Sequence, residues 1–496
     1  MSERNGLRYG LLGLALLILL ALLALVINRP ASSPTPAAAP AAESTHIESL
    51  AALGDQPPSR RDLNIQTWRT AEGAKVLFAP ARELPMFDLQ LTFAAGSSHD
   101  DGVPGLAMLT NAMLNEGVPG KDVGAIAAGF ENLGANFGNG AFRDMAIASL
   151  RSLSAADKRE PAMQLFNQVL GQPTFPEDAL ARIKNQLLAG FEYQKQNPGK
   201  LASLALFERL YGTHPYAHPS DGNAESIPAI SREQLQAFHA KAYTANNAII
   251  ALVGDLSRSD AEALASQVSA ALPQGPALPR IAQPETPEAG LQHIEFPSNQ
   301  THLMIAQLGI DRRDPDYAAL YLGNQIFGGG GFGTRLMTEV REKRGLTYGV
   351  YSGFSAMQAR GPFMISLQTR AELSDGTLQL VKSMLADFIA NGPTTDELNN
   401  AKRELAGSFP LSTASNAAIV GQLGSMGFYD LPLSYLEDFM RDVEALSVAQ
   451  VKAALAKHLS PEALVIVTAG PTVAQQQLPP PTDPPAEQPS GVPEHK

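Results

Sequence analysis

Apolar residues fall into two distinct patterns along this chain. From Gly10 to Ile27 (GLLGLALLILLALLALVI), 18 residues pass without a charge, close to the ~20 that cross a hydrocarbon core. Arg4 and Arg8 precede the run, which predicts a membrane anchor over residues 1–28 with its N-terminus in the cytoplasm and the body outside. A cleavable signal peptide is the alternative. Its apolar region is ordinarily shorter, roughly 7–15 residues, and Pro40 would follow the small-residue site at Ala37–Ala39.

Beyond residue 44 the pattern changes to short alternating runs and helix-period stripes. Ile65–Thr70, Lys75–Ala79 and Phe87–Ala95 read as strands, and Gly105–Glu116 carries a helical stripe at Leu106, Leu109 and Met113. The segment Ser231–Gly254 matches Ser447–Gly470 over 24 residues without a gap: a helix behind a Ser cap, a short turn, an apolar strand, then Gly. Gln234/Gln450, Ala237/Ala453, Ala240/Ala456 and Lys241/Lys457 coincide. The openings match as well, with a strand at Phe87–Ala95 before a helix from Pro104, and a strand at Leu303–Leu308 before a helix from Pro315. These matches predict an α+β chain of two homologous domains. Each is an antiparallel or mixed sheet with helices packed mainly on one face.

Proline marks the boundaries. A Pro/Ala spacer covers 29–44, the first domain 45–271, a linker with five prolines 272–287, and the second domain 288–470. The tail, 471–496, holds eight prolines and few apolar side chains, so it is expected to be disordered.

Composition removes several function classes. The 44% hydrophobic content is enough for ordinary cores. Acids outnumber bases, 49 to 37, which argues against a phosphate-tracking nucleic-acid surface. The chain has no cysteine, so disulfides, zinc fingers and thiol nucleophiles are excluded. His214 and His218 have i,i+4 spacing, but Pro215 and Pro219 make a turn of that stretch. His99 with Asp100 and Asp101 forms an acidic loop lacking a further ligand. Gly328, Gly330 and Gly333 satisfy G-x-G-x-x-G, yet a helix precedes them and no acid follows about 20 residues on, so a dinucleotide fold is rejected.

The segment Phe87–Gly117 (FDLQLTFAAGSSHDDGVPGLAMLTNAMLNEG) resembles the zinc-site segment of the insulinase/pitrilysin superfamily of metallopeptidases. There a strand ending in A-G-S leads into a helix bearing H-x-x-E-H, two histidines gripping zinc and the glutamate activating its water. The frame survives as Ala95-Gly96-Ser97 and Gly105-Leu106-Ala107. The resemblance places the histidine positions at Met108 and Ala112, the glutamate position at Asn111, and the third ligand, an acid on a later helix, at Ala189. Glu192 is nearby in the wrong register. No zinc is therefore expected on this chain.

The second half differs. Gly328–Gly353 (GGGGFGTRLMTEVREKRGLTYGVYSG) resembles the superfamily's Gly-rich signature, whose arginine and tyrosine seven residues apart fall on Arg341 and Tyr348. Thr338–Arg344 reads as a helix ending at Gly345, and Leu346–Ser352 as a strand. The resemblance gives Arg341 and Tyr348 the task of binding the substrate carbonyl and its anionic intermediate. It further implies a heterodimer with a half-length sister chain that carries the zinc, and a peptide substrate. With the N-terminal apolar run behind Arg4 and Arg8, the expected placement is an inner-membrane tether with the body facing the periplasm. A peptide-binding or scaffold protein without hydrolysis is the alternative.

Overall fold

The repeated segments fold alike because they start on the same cap. The Ser231 hydroxyl accepts from the Gln234 N–H while the Gln234 side chain accepts from the Ser231 N–H, and Ser447 with Gln450 repeats the arrangement. The computed structural model describes residues 63–482. The anchor and spacer, and the tail beyond 482, lie outside the described residues. Among the described residues no helix is long and apolar enough to cross a membrane.

The first half contains β1 (Gln66–Arg69), β2 (Lys75–Pro80), β3 (Met86–Phe93), α1 (Leu106–Ala112), α2 (Val123–Glu131), β4 (Asn136–Ala141) and β5 (Ala146–Leu153). It continues with α3 (Ala156–Gly171), α4 (Glu177–Gln194), α5 (Pro198–Tyr211), α6 (Arg232–Ala242), β6 (Ala248–Gly254) and α7 (Arg258–Ala271). The second half contains β7 (Gly290–Glu295), β8 (Gln300–Leu308), α8 (Tyr317–Asn324), β9 (Val350–Phe354), β10 (Pro362–Arg370) and α9 (Ser374–Asn391). It ends with α10 (Thr395–Ser408), α11 (Asn416–Phe428), α12 (Tyr435–Ala445), α13 (Val448–His458) and β11 (Val465–Gly470). The sheets run β1-β2-β6-β3-β5-β4 and β9-β10-β8-β11-β7. In each, the repeat's last strand pairs in parallel with an early one, β6 with β2 and β11 with β7.

The expectation of helices mainly on one face is corrected by the packing. Val76, Phe78, Ile250 and Leu252 face the first half's own helices, whereas Leu77, Ala79, Ala251 and Val253 face Ile419, Val420 and Leu423 of α11. The second sheet is built the same way. Leu303, Ile305 and Ile466 meet their own helices, and Val465, Val467 and Ala469 pack on Ala202, Leu206 and Leu210 of α5. Both faces of both sheets are thus apolar, and each half lends one helix to the other. Gly424 and Gly427 let α11 lie close on its sheet, since a Cβ there would strike Gln90 and Ile249.

Polar contacts fix the join. Asp144, buried on the β4–β5 hairpin, accepts from the Tyr216 hydroxyl and from Gln358 N at 2.6 Å. The Pro-rich linker is a strap, not a loose tether: Leu278 N donates to Asn247 Oδ1 (3.2 Å), and Arg360 Nη2 to the Pro284 carbonyl (3.0 Å). The tail's first residues are likewise held, contrary to expectation. Gln476 N donates to the Glu372 carbonyl (2.7 Å) and Thr482 N to the Lys343 carbonyl (2.8 Å).

Candidate functional site

Around α1 the side chains belong to the core. Asn111 is 2% exposed. Its amide donates to the Ile147 carbonyl (3.2 Å) and lies 3.2 Å from the Tyr243 hydroxyl, while its own carbonyl accepts from Asn139 Nδ2 (2.6 Å). Met108 packs against the first core, Ala112 is half-buried, and Ala189 stands exposed on α4. Glu192 points to solvent and pairs with Lys195 at 2.7 Å. Zinc needs imidazole, thiolate or carboxylate ligands. These four positions offer a thioether, two methyls and an amide already spoken for, so they do not fit the metal.

Asp100 holds the start of α1. Its carboxyl accepts from Gly105 N (2.9 Å) and Ala107 N (2.6 Å), and burial drives its pKa up to about 7 despite those donors. His99 and His239 are both held neutral, each pushed below its ordinary pKa chiefly by burial. The Nε2 atom of His239 sits 2.7 Å from the Leu170 carbonyl. His214 bonds the Ala282 carbonyl (2.8 Å) of the strap, and His218 sits 3.3 Å from its neighbour's carbonyl, so neither is aimed at a shared ligand. One metal-like group occurs among the described residues, Asp314, Asp316 and His458, with ligand atoms within 4.8 Å of one another. Lys457 Nζ already rests 2.6 Å from Asp316, supplying the charge that a cation would bring.

The Arg341/Tyr348 region is exposed where α1 is closed. Helix α8 runs into a π-helical turn over Gln325–Gly329, and a second π turn spans Met337–Glu342, so the expected regular helix over 338–344 is wider and shorter. Gly345 (φ +59°) ends it as expected, its N–H meeting the Arg341 carbonyl at 2.9 Å. Strand β9 begins only at Val350, and Tyr348 lies on a bend where Thr347 Oγ1 accepts from Gly349 N (3.2 Å). The bend turns the Tyr348 ring outward, 83% exposed. Its face lies 5.0 Å from the Arg341 guanidinium carbon, and the Phe332 ring lies 4.6 Å from that carbon. Phe332 is 72% exposed on a turn between Gly331 and Gly333, whose φ values of +81° and +84° few other residues tolerate. Among the described residues the Arg341 guanidinium makes no hydrogen bond or ion pair. Stacking orients it, and its donor fork stays free for a carbonyl or carboxylate.

Arg341 and Tyr348, singled out from the sequence, lie side by side, and Phe332, which the sequence did not single out, joins them. The signal was present: one aromatic residue inside a run of glycines has no core to enter. Nor did the sequence single out Asn324, buried at the end of α8 with its amide on the Ser352 carbonyl (3.1 Å).

Residues 83–221 match the family model described as insulinase (peptidase family M16), and residues 229–405 match the peptidase M16 inactive domain. A Helicobacter pylori protein named non-peptidase homolog YmxG is 28% identical over 402 residues, covering 77% of this chain and 88% of that one. A Bacillus subtilis relative named uncharacterized zinc protease YmxG is 22% identical over 82% of this chain and 98% of its own. The crystal structure of a peptidase M16 inactive domain from Pseudomonas fluorescens is 74% identical. It covers 84% of this chain and 100% of its own, with a TM-score of 0.82.

Proposed function

The chain belongs to the insulinase family, peptidase family M16, and we propose that it is the zinc-free subunit of a two-chain metallopeptidase. It lends a peptide-binding and carbonyl-stabilising surface to a sister chain that carries the zinc. One observation carries this reading: an unpaired Arg341 fork beside the exposed rings of Phe332 and Tyr348, in a chain whose own matched ligand positions hold no zinc-binding side chain. A permanently charged fork beside a phenol suits an oxygen that gains charge as a peptide carbonyl becomes tetrahedral. The uncharged run at residues 10–27 behind Arg4 and Arg8 supports an inner-membrane tether with the body in the periplasm. A reporter fused after Ala42 that works only in the cytoplasm would refute that placement.

The activity is tested by mixing this chain with a zinc-bearing sister. Turnover should arise only in the mixture. Arg341→Ala or Tyr348→Phe should lower it roughly 10²–10³-fold, as loss of an oxyanion donor does, with assembly intact. The Helicobacter relative is named a non-peptidase homolog, which favours a second reading, an inactive peptide-binding scaffold. Full activity of both variants in the mixture would put that reading first.

A further inference from the structure

The same surface has a candidate occupant within the chain. After β11 the chain does not leave the body but is led across the second half. Thr472 Oγ1 donates to Glu295 (2.6 Å), Gln475 Nε2 to the Ala371 carbonyl (3.0 Å), and Leu478 packs over Gly376. Arg344 Nη1 then donates to the Pro479 carbonyl (2.9 Å), and Thr482 binds the Lys343 carbonyl through both its N–H (2.8 Å) and its hydroxyl (3.0 Å). The described tail therefore ends against Lys343, two residues from Arg341 and five from Tyr348.

Fourteen residues follow, DPPAEQPSGVPEHK, with four prolines and three acids, Asp483, Glu487 and Glu494. We propose that this segment, 483–496, docks on the Phe332–Arg341–Tyr348 surface of its own chain as a tethered pseudosubstrate that an incoming peptide must displace. The inference rests on that surface being a peptide-binding one.

Three physical points favour this occupant. Reach is not limiting: 14 extended residues at about 3.1 Å each span some 40 Å, whereas Lys343 and Arg341 are within about one helical turn. The chemistry is complementary. Proline-rich chain lies well on exposed aromatic faces, here Phe332, Tyr348 and the 53% exposed Tyr351, and a carboxylate suits the free guanidinium fork. The neighbouring bases are already engaged, Arg344 with Glu339 at 3.0 Å and Lys343 with Glu339 at 3.4 Å, which leaves Arg341 as the open partner. Tethering completes the argument. A short flexible link supplies an effective concentration in the millimolar range, so a weak intrinsic affinity is enough to occupy the surface and still yields to a better ligand.

The test compares the full chain with one ending at Thr482. Fluorescein-labelled, reduced and carboxymethylated α-lactalbumin serves as an extended polypeptide probe, and a labelled peptide of residues 483–496 as the second. The shortened chain should bind the unfolded probe severalfold more tightly than the full chain. It should also bind the tail peptide, and Arg341→Ala should abolish both effects. Equal binding of the unfolded probe by both chains, with Arg341→Ala still weakening it, would overturn the tail proposal and leave the peptide-binding surface standing. If Arg341→Ala changes no binding in either chain, the surface reading falls and the tail proposal with it.

Discussion

Helices α1 and α8 occupy matching places in the two halves and have met opposite fates. Leu106, Leu109, Asn111 and Met113 correspond to Ala319, Leu322, Asn324 and Ile326, and the order of buried and half-buried positions is the same from 106 to 114 as from 319 to 327. Each helix ends in a buried asparagine whose amide is spent on a strand carbonyl, Ile147 in the first half and Ser352 in the second. In the first half that asparagine, which the sequence resemblance matches to the zinc motif's glutamate, is buried in the core. In the second half the chain beyond the asparagine opens into two π turns that carry a glycine-flanked Phe332 and an unpaired Arg341 to the surface. The comparison separates two uses of one frame. Residues that earn their place by packing are satisfied and buried, while Phe332, Arg341 and Tyr348 expose apolar rings and an idle charge with no folding benefit.

The strongest way to break this comparison is to place a glutamate at position 111. If the Asn111 site is core, Asn111→Glu places a carboxylate among apolar side chains and strips the Ile147 carbonyl and the Tyr243 hydroxyl of their partner. The expected loss is about 3–5 kcal/mol, read as a collapsed denaturation midpoint. Near-native stability would mean that the site keeps room and polarity for a carboxylate.

A second test uses two acids at the edges of these helices, whose environments oppose each other. Asp100 is 1% exposed and burial raises its pKa to about 7. The folded chain thus keeps a proton that the unfolded chain releases above about pH 4, and the stability this group contributes falls as pH rises from about 4 to 7. Asp316 is shifted down, first by its bond from Lys457 and then by that from His458. Its contribution is present above about pH 4 and is lost as pH falls through its lowered folded value. Asp100→Asn should therefore remove a declining slope of at most about 4 kcal/mol across pH 4–7. Asp316→Asn should remove an opposite slope of well under 1 kcal/mol, because that pair is solvent-screened. Denaturation of Asp100→Asn at pH 5 and 7.5, and of Asp316→Asn at about pH 2.5 and 5, checks the signs; slopes of the same sign would refute the contrast.

Legibility in the sequence followed the same division. The caps at Ser231 and Ser447 and the strands after them are local, and one-dimensional patterns carry them. The exchange of α5 and α11 between halves is not local. Leu206 and Leu423 look like any core leucine, and only three-dimensional packing decides whose sheet they cover. The tail misled for a related reason. Proline-rich composition argues against a core of its own, but residues 471–482 need none, because they borrow backbone partners from Ala371, Glu372 and Lys343. Phe332 is not legible in the pattern because a lone aromatic among glycines belongs to no strand or helix period.

The smallest expected effect is the most telling. Phe332→Ala removes a ring that is 72% exposed and touches no core, so its effect on stability should stay within about 0.5 kcal/mol. Function should respond more strongly. The ring is one of two that fix the plane of the Arg341 guanidinium, and without it the fork gains rotational freedom that a bound carbonyl must then remove. Affinity for the unfolded polypeptide probe should fall severalfold, with Phe332→Tyr restoring it because any aromatic face can stack. A merely structural ring would do the reverse, lowering the melting temperature while leaving affinity unchanged. That outcome would move Phe332, and with it the case for an exposed site in the second half, back to the kind of residue that surrounds Asn111.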